Sequence, residues 1–213
     1  MYAAEVKEHK ERLVFQVSGK LWQRSLVMRD LQTGSLWAHL LGECMEGPLK
    51  GSTLTPIPAA ITSWKEWKTA HPNTTVLSLK RSAKRFNADF YRKPSSYVIG
   101  IEQQDRTRAW PFDVLLKKPV YQDKLGANEI VVVFHKESSA GFIFNRKVGA
   151  GLIDFSPALK NGNLVSKDGS IWDPWQAKAI SGPKKGQLLE RLHAIPSYRK
   201  AWLSFHPEST IAE

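Results

Sequence analysis

His39 and Glu43 stand close in the chain, two and six residues after Trp37. An imidazole and a carboxylate held together can do general acid–base work or hold a metal ion. Between Ser35 and Leu41 the residues alternate as Leu36, Ala38, Leu40 on one side and Ser35, Trp37, His39, Leu41 on the other. A strand here therefore puts Trp37 and His39 on one face, and a bulge near Gly42 would bring Glu43 to them. Trp37, His39 and Glu43 are the candidate ligand-binding residues, and His39 with Glu43 is the pair to which catalysis would fall. Ordinary structural polar side chains are the competing and favoured reading. No metal-ligand set and no cofactor is indicated.

A second chemistry-bearing stretch is basic: Lys80, Arg81, Lys84, Arg85, Arg92 and Lys93, with Phe86, Phe90 and Tyr91 between them. Cations can neutralise phosphates and aromatics can stack on bases, so this is the candidate nucleic-acid segment. A solvated connecting loop is the favoured alternative, because charge alone reports on non-specific attraction. The 213 residues carry a net charge of +11, which makes an anionic partner worth testing. Cys44 is the one cysteine, which rules out an intramolecular disulfide and a multi-thiolate site within one chain; it reads as a buried, inert thiol.

His71 and His206 each precede a proline. Both fall where a helix ends, so capping of free carbonyls is favoured over ligation. The stretch from Gly182 through Pro183, Lys184 and Lys185 to Gly186 lacks the ending of a phosphate loop and reads as a turn. No Gly-x-Ser-x-Gly elbow, His-Glu-x-x-His helix or dinucleotide-binding glycine pattern occurs. The eight tryptophans read mainly as core anchors.

The elements that must position these residues recur along the chain. Gly34-Ser35-Leu36-Trp37 matches Gly169-Ser170-Ile171-Trp172 at an offset of 135 residues, and that offset holds without a gap to the end. Gly47-Pro48 falls on Gly182-Pro183, Gly51 on Gly186, Leu54 on Leu189, Trp67 on Trp202 and His71-Pro72 on His206-Pro207. Upstream, Leu26-Val27 and Asp30 fall on Leu164-Val165 and Asp168 once Leu31, Gln32 and Thr33 are taken as an insertion in a turn. The turn reads as a two-residue hairpin at Asp168-Gly169 and a longer loop, with Gly34 at positive φ, in the first copy. Leu54 and Ile57 suggest a short strand. A helix capped by Ser63, with Glu66 three residues on, is expected to run to Pro72, and its counterpart to start at Ser197 and stop at Pro207. Across this alignment Pro174 stands opposite His39 and Lys178 opposite Glu43, so a His39/Glu43 site would exist once.

The second copy has a front half without a partner earlier in the chain. Strands are expected from Tyr97 to Glu102, over the β-branched run from Glu129 to Phe134, and from Gly141 to Phe144. The corresponding strands of the first copy would lie before Met1. Strands left without partners invite pairing, so three arrangements are open: the chain starts later than its natural reading frame, the second front half serves both copies as one shared core, which is favoured, or two chains complete one another as a homodimer.

The run from Val17-Ser18-Gly19-Lys20-Leu21 through Leu26-Val27-Met28 and Asp30 to Gln32-Thr33-Gly34-Ser35-Leu36-Trp37, with Thr62-Ser63-Trp64-Lys65-Glu66-Trp67, resembles the uncharacterised prokaryotic domain of unknown function 3179. So do Val98-Ile99-Gly100-Ile101-Glu102, Ala109-Trp110-Pro111 and the stretch from Glu129 to Phe144. The resemblance implies a Cys-Pro-x-Cys-Gly stretch after a hydrophobic strand, a redox or metal-binding pair. This chain has His135-Lys136-Glu137-Ser138 after its strand instead, and the other copy's pair would lie upstream of Met1.

The expected fold is α+β, mostly β: two pseudo-equivalent strand-rich repeats, each ending in a short helix. Residues 1–79 form the first repeat, truncated at its front; 80–96 the basic connection; 97–213 the complete second repeat. A non-catalytic binding or scaffold module is the first functional expectation. A truncated redox or metal-binding protein with its Cys pair upstream, and nucleic-acid binding through 80–93, are the alternatives. No apolar run approaches the roughly 20 residues a spanning helix needs, and the charged first dozen residues carry no targeting signal; the resemblance implies export for full-length relatives.

Overall fold

The computed structural model describes residues 1–6, 12–76, 93–103 and 106–213. In chain order the strands and helices are Phe15–Trp22 (β1), Ser25–Asp30 (β2), Leu36–Ala38 (β3), Glu43–Glu46 (β4), Trp64–Ala70 (α1), Tyr97–Gln103 (β5), Arg106–Pro111 (β6), Phe112–Lys117 (α2), Val120–Leu125 (β7), Asn128–His135 (β8) and Ala140–Asn145 (β9). They continue with Lys147–Val148 (β10), Gly151–Leu152 (β11), Leu164–Val165 (β12), Ile171–Asp173 (β13), Lys178–Ser181 (β14), Arg191–Leu192 (β15), Ile195–Tyr198 (β16), Arg199–Phe205 (α3) and Thr210–Ile211 (β17). The protein is thus mostly β, with small sheets and short helices. Two compact units divide it: Met1–Ala59 with Lys200–Ser209, and Ala60–Arg199 with Thr210–Glu213.

The first unit is built on the antiparallel sheet β1-β2-β3-β4. Gln23 and Arg24, at φ 48° and 63°, make the two-residue turn between β1 and β2, a geometry that follows the right-handed twist of paired strands. β1 is bulged between Val17 and Leu21, where Lys20 N–H bonds Ser18 Oγ and the Ser18 hydroxyl donates to Val27 O at 2.5 Å. Met28 lies directly opposite Trp37 on one face of the sheet, while Val27 opposite Ala38 and Arg29 opposite Leu36 take the other face, where Val27, Ala38 and Leu36 are also buried. The inner face closes over Trp37, Cys44, Leu54, Val6 and Leu13. Cys44 is 4% exposed and its thiol donates to Glu46 O, consistent with an inert thiol; burial, its largest influence, leaves its pKa raised. Within this unit Trp22 meets Phe205 edge to face at 4.9 Å.

The second unit has a double core centred on β8. Ile130, Val132 and Phe134 enter one apolar cluster with Ile99, Ile101 and Trp110, and the intervening Val131 and Val133 enter another with Phe142, Phe144 and Trp172. A strand buried on both faces reads as a continuous apolar run, which is why the segment from Glu129 to Phe134 is legible as a buried strand. Burying each such side chain contributes about 1.5–3 kcal/mol. β8 sits in the sheet β7-β8-β9-β15, the hairpin β5-β6 is held between β16 and β17, and β12-β13-β14 form a third sheet. Buried Arg146 anchors the chain after β9: Nε donates to Ile153 O at 2.8 Å and its guanidinium pairs with Asp154 and Glu129.

Several local expectations differ. β3 stops at Ala38 and residues 39–42 turn back, closed by Gly42 N–H to Ala38 O at 2.8 Å. Leu54 and Ile57 form no strand; the ladder there is limited to single bridges at Thr53 and Pro56. The loop at Asp168-Gly169 is longer than two residues: Val165 pairs with Ile171, and Ser166 N–H bonds Ser170 O, leaving a three-residue turn with Gly169 at φ 84°. Ser197 lies in β16, and the helix after it starts at Arg199. Ser63 does cap α1, accepting Glu66 N–H at 3.3 Å, and Gly34 adopts φ 76°.

Candidate functional site

Trp37 is fully buried in the first unit, and its Nε1 donates to Asp30 Oδ2 at 2.9 Å. His39, two residues on, is on the turn after β3 with an exposed side chain. The alternation that would place both on one face ends with β3 itself, because the chain reverses at Ala38 to enter β4. The His39 imidazole titrates below its ordinary value, first through loss of solvent and then through the positive N-terminus. Glu43, exposed at the start of β4, pairs with Ala38 and bridges to Thr53.

Glu43 lies within electrostatic reach of His206, a residue far away in sequence within the same unit. His206 is 7% exposed, its ring packs on Trp202 at 4.2 Å, and its Nε2 is buried without a hydrogen-bond partner. Burial pushes its pKa down, and the Glu43 carboxylate opposes that shift. The helix-end role expected for His71 and His206 is carried by their backbone: His71 N–H bonds Trp67 O and His206 N–H bonds Trp202 O, both at 2.8 Å. Their rings pack on those tryptophans instead of reaching carbonyls. Sequence spacing gives no signal for a Glu43–His206 approach.

The sheet β1-β2-β3-β4 carries a cavity of about 580 Å³ lined by Leu21, Trp22, Val27, Leu36, Cys44 and Met45, with Lys20, Lys50, Glu43 and Glu46 around it. A smaller cavity of about 270 Å³ adjoins it through shared Lys20, Leu36 and Glu46, and adds Arg29. An apolar floor ringed by three cations and two carboxylates suits an amphipathic ligand. Binding chemistry is available here; a preassembled catalytic constellation is not, and among the described residues no group of three or more His, Cys, Asp and Glu is arranged to hold a metal.

In the second unit His135 is 7% exposed, with Nε2 buried and unpartnered, against Trp175 at 5.4 Å and Phe142 at 5.9 Å. Burial lowers its pKa, while Glu66, Glu137 and Asp173 raise it. The Ser138 hydroxyl on the same turn is likewise buried without a partner. Of the basic segment, Lys80, Arg81, Lys84, Arg85 and Arg92 lie outside the described residues; Lys93 precedes the short turn Pro94–Ser96.

A family model described as Protein of unknown function (DUF3179) matches residues 1–96 and again 87–213. No curated protein and no solved structure matches the chain.

Proposed function

The chain belongs to this family of unknown function, and from that premise we propose that it is a non-catalytic binding module, formed by internal duplication, whose ligand surface is the groove on β1-β2-β3-β4. The observation that carries the reading is a framework of hydrogen bonds that recurs at the offset of 135 residues while the polar side chains around it do not. Ser35 Oγ accepts Leu49 N–H at 3.2 Å and Ser170 Oγ accepts Lys184 N–H at 3.0 Å. Gly51 N–H reaches Cys44 O at 2.9 Å, and Gly186 N–H reaches Ala179 O at 2.8 Å. Trp67 Nε1 donates to Thr74 Oγ1 at 3.0 Å and Trp202 Nε1 to Ser209 Oγ at 2.7 Å. The double family match supports the same duplication.

The polar positions diverge around this frame. Pro174 replaces His39, Lys178 replaces Glu43, and Trp172 donates to Ser166 Oγ at 3.0 Å where Trp37 uses Asp30. Duplicated cores without duplicated reactive groups favour a scaffold that presents a surface over one that performs a reaction. The groove would act by apolar contact with Leu21, Val27, Leu36 and Met45 and by charge pairing at its edge.

Two-dimensional NMR of the intact chain against a fragment library tests this. Shift changes confined to Leu21, Val27, Leu36 and Met45, abolished in Met45→Glu, are expected. Saturable binding centred on His39, or turnover of any library member, would overturn it.

A further inference from the structure

From the charges around the groove on β1-β2-β3-β4 we infer that its ligand is a short linear peptide with free termini, its carboxylate held by Arg29 and Lys20 and its ammonium by Glu46 and Glu43. The inference deepens the groove reading above and rests on it.

Cross-strand register sets these charges in order. Arg29 on β2 lies opposite Leu36 on β3, and Leu36 lies opposite Glu46 on β4, so the three form one row across the sheet. The register of β4 shifts between its pairs with Leu36 and Trp37, which leaves Met45 over and puts Glu43, opposite Ala38, on the face that carries Glu46. Cations thus stand on β1 and β2, carboxylates on β4, and apolar Leu36 and Ala38 between them. Two strand spacings, about 10 Å, separate Arg29 from Glu46.

These charges are not spent within the protein. Among the described residues, the side chains of Lys20, Arg29, Glu43 and Glu46 enter no ion pair or hydrogen bond. The Arg29 guanidinium lies over Gly34, where a Cβ would stand 3.3 Å from Nη2 and 3.6 Å from Nε. Both residues line the cavity of about 270 Å³ together with Ser18, Lys20 and Glu46. Lys50 lines only the larger cavity and lies outside the Leu36 row.

The second copy keeps the frame and lacks both ends of the charge pattern. Ile171 lies opposite Ser181 as Leu36 lies opposite Glu46, and the register shifts at the same place. Neutral Ser181 replaces Glu46, and Lys167, at the place of Arg29, pairs with Asp154 at 3.2 Å. A Cβ at Gly169 would meet nothing within 4 Å. The fold therefore does not require unpaired charge of both signs here, and the first copy alone carries it.

The separation selects the ligand. The ammonium and carboxylate of a free amino acid share one carbon and cannot reach both sides, whereas three extended residues span about 10 Å. A guanidinium takes a carboxylate through two parallel hydrogen bonds, and an apolar central side chain would rest on Leu36.

The test titrates the intact chain with the tripeptide Ala-Leu-Ala at low salt, where exposed pairs are least screened, and follows amide shifts in two-dimensional NMR. Saturable shifts at Val27 and Leu36 are expected. N-acetylation and C-terminal amidation of the peptide should each weaken binding about fivefold, the worth of one exposed ion pair. In Arg29→Gln most of the amidation penalty should vanish while the acetylation penalty stays, and Glu46→Gln should do the reverse. Capped and free peptides binding alike to the parent chain, leucine alone binding as well as the tripeptide, or no saturable shift would each overturn the inference. The capping comparison uses the unaltered chain, so it decides even where a variant misfolds. If library fragments still shift Leu21, Val27, Leu36 and Met45 in those cases, the groove stands and the peptide falls; if they do not, both fall.

Discussion

The indole N–H of Trp37 ends on Oδ2 of Asp30, 2.9 Å away and out of contact with solvent. The other carboxylate oxygen takes Thr33 N–H at 2.6 Å, and the Thr33 hydroxyl bonds the same group. One carboxylate therefore holds both the loop between β2 and β3 and the central tryptophan of the first unit.

Replacing Asp30 by Ala leaves the indole and Thr33 donors without an acceptor, and is expected to cost about 3 kcal/mol in urea unfolding. Burial raises the pKa of Asp30, but the donors from Trp37, Thr33 and Gly34 outweigh it and the net shift is downward. A carboxylate with a lowered folded pKa stabilises the fold above its unfolded value and loses that contribution as pH falls through the folded one. The first unit should weaken below about pH 4, and Asp30→Ala should flatten that acid limb.

Gly47 and Gly182 are expected to be equally intolerant of a side chain. A Cβ at Gly47 would meet Ser35 Cα at 2.8 Å, and one at Gly182 would meet Ser170 Cα at 2.6 Å; both lie at positive φ, 103° and 85°. Strain and backbone collision together should cost about 3 kcal/mol for Gly47→Ala and for Gly182→Ala. Thermal unfolding of the two variants compares them. A loss at one position only would contradict duplicated backbones.

Acid should also act through the buried histidines. His135 and His206 both have folded pKa values pushed below the ordinary one, chiefly by burial. The unfolded chain takes up protons on these imidazoles first, so stability present above about pH 6.5 is lost as pH falls from there toward the folded values. His135→Gln should lessen that slope in denaturant midpoints measured between pH 7 and 5, ranges set by the unperturbed histidine value of about 6.5.

Glu43 opposes the downward shift of His206. In Glu43→Gln the imidazole should titrate lower still, read from its proton resonances, with little change in stability because Glu43 is exposed. An unchanged His206 titration would separate the two residues.

Much of the fold is legible in the residues because each signal has one physical source. The β-branched run ending at Phe134 is β8, its two faces filling two cores. Ser63 with Glu66 marks α1, and Gly34 marks a turn that only a residue tolerant of positive φ adopts cheaply. The His39 site is where local reasoning fails: alternation is a property of a continuing strand, and β3 reverses after three residues. Ser197 misleads for a related reason, since pairing of β16 with β5 holds it extended where local chemistry would have begun a helix. The approach of His206 to Glu43 is made by tertiary folding alone, and no spacing records it.

The seclusion of Cys44 has a consequence for how the protein ages. Its sulfur is capped by Glu46 O and its proton is held more tightly than usual, so the nucleophilic thiolate is scarce. Glutathione disulfide and alkylating reagents that target thiols should find this one unreactive. The chain should pass through a change of thiol–disulfide surroundings without covalent pairing to its neighbours through Cys44.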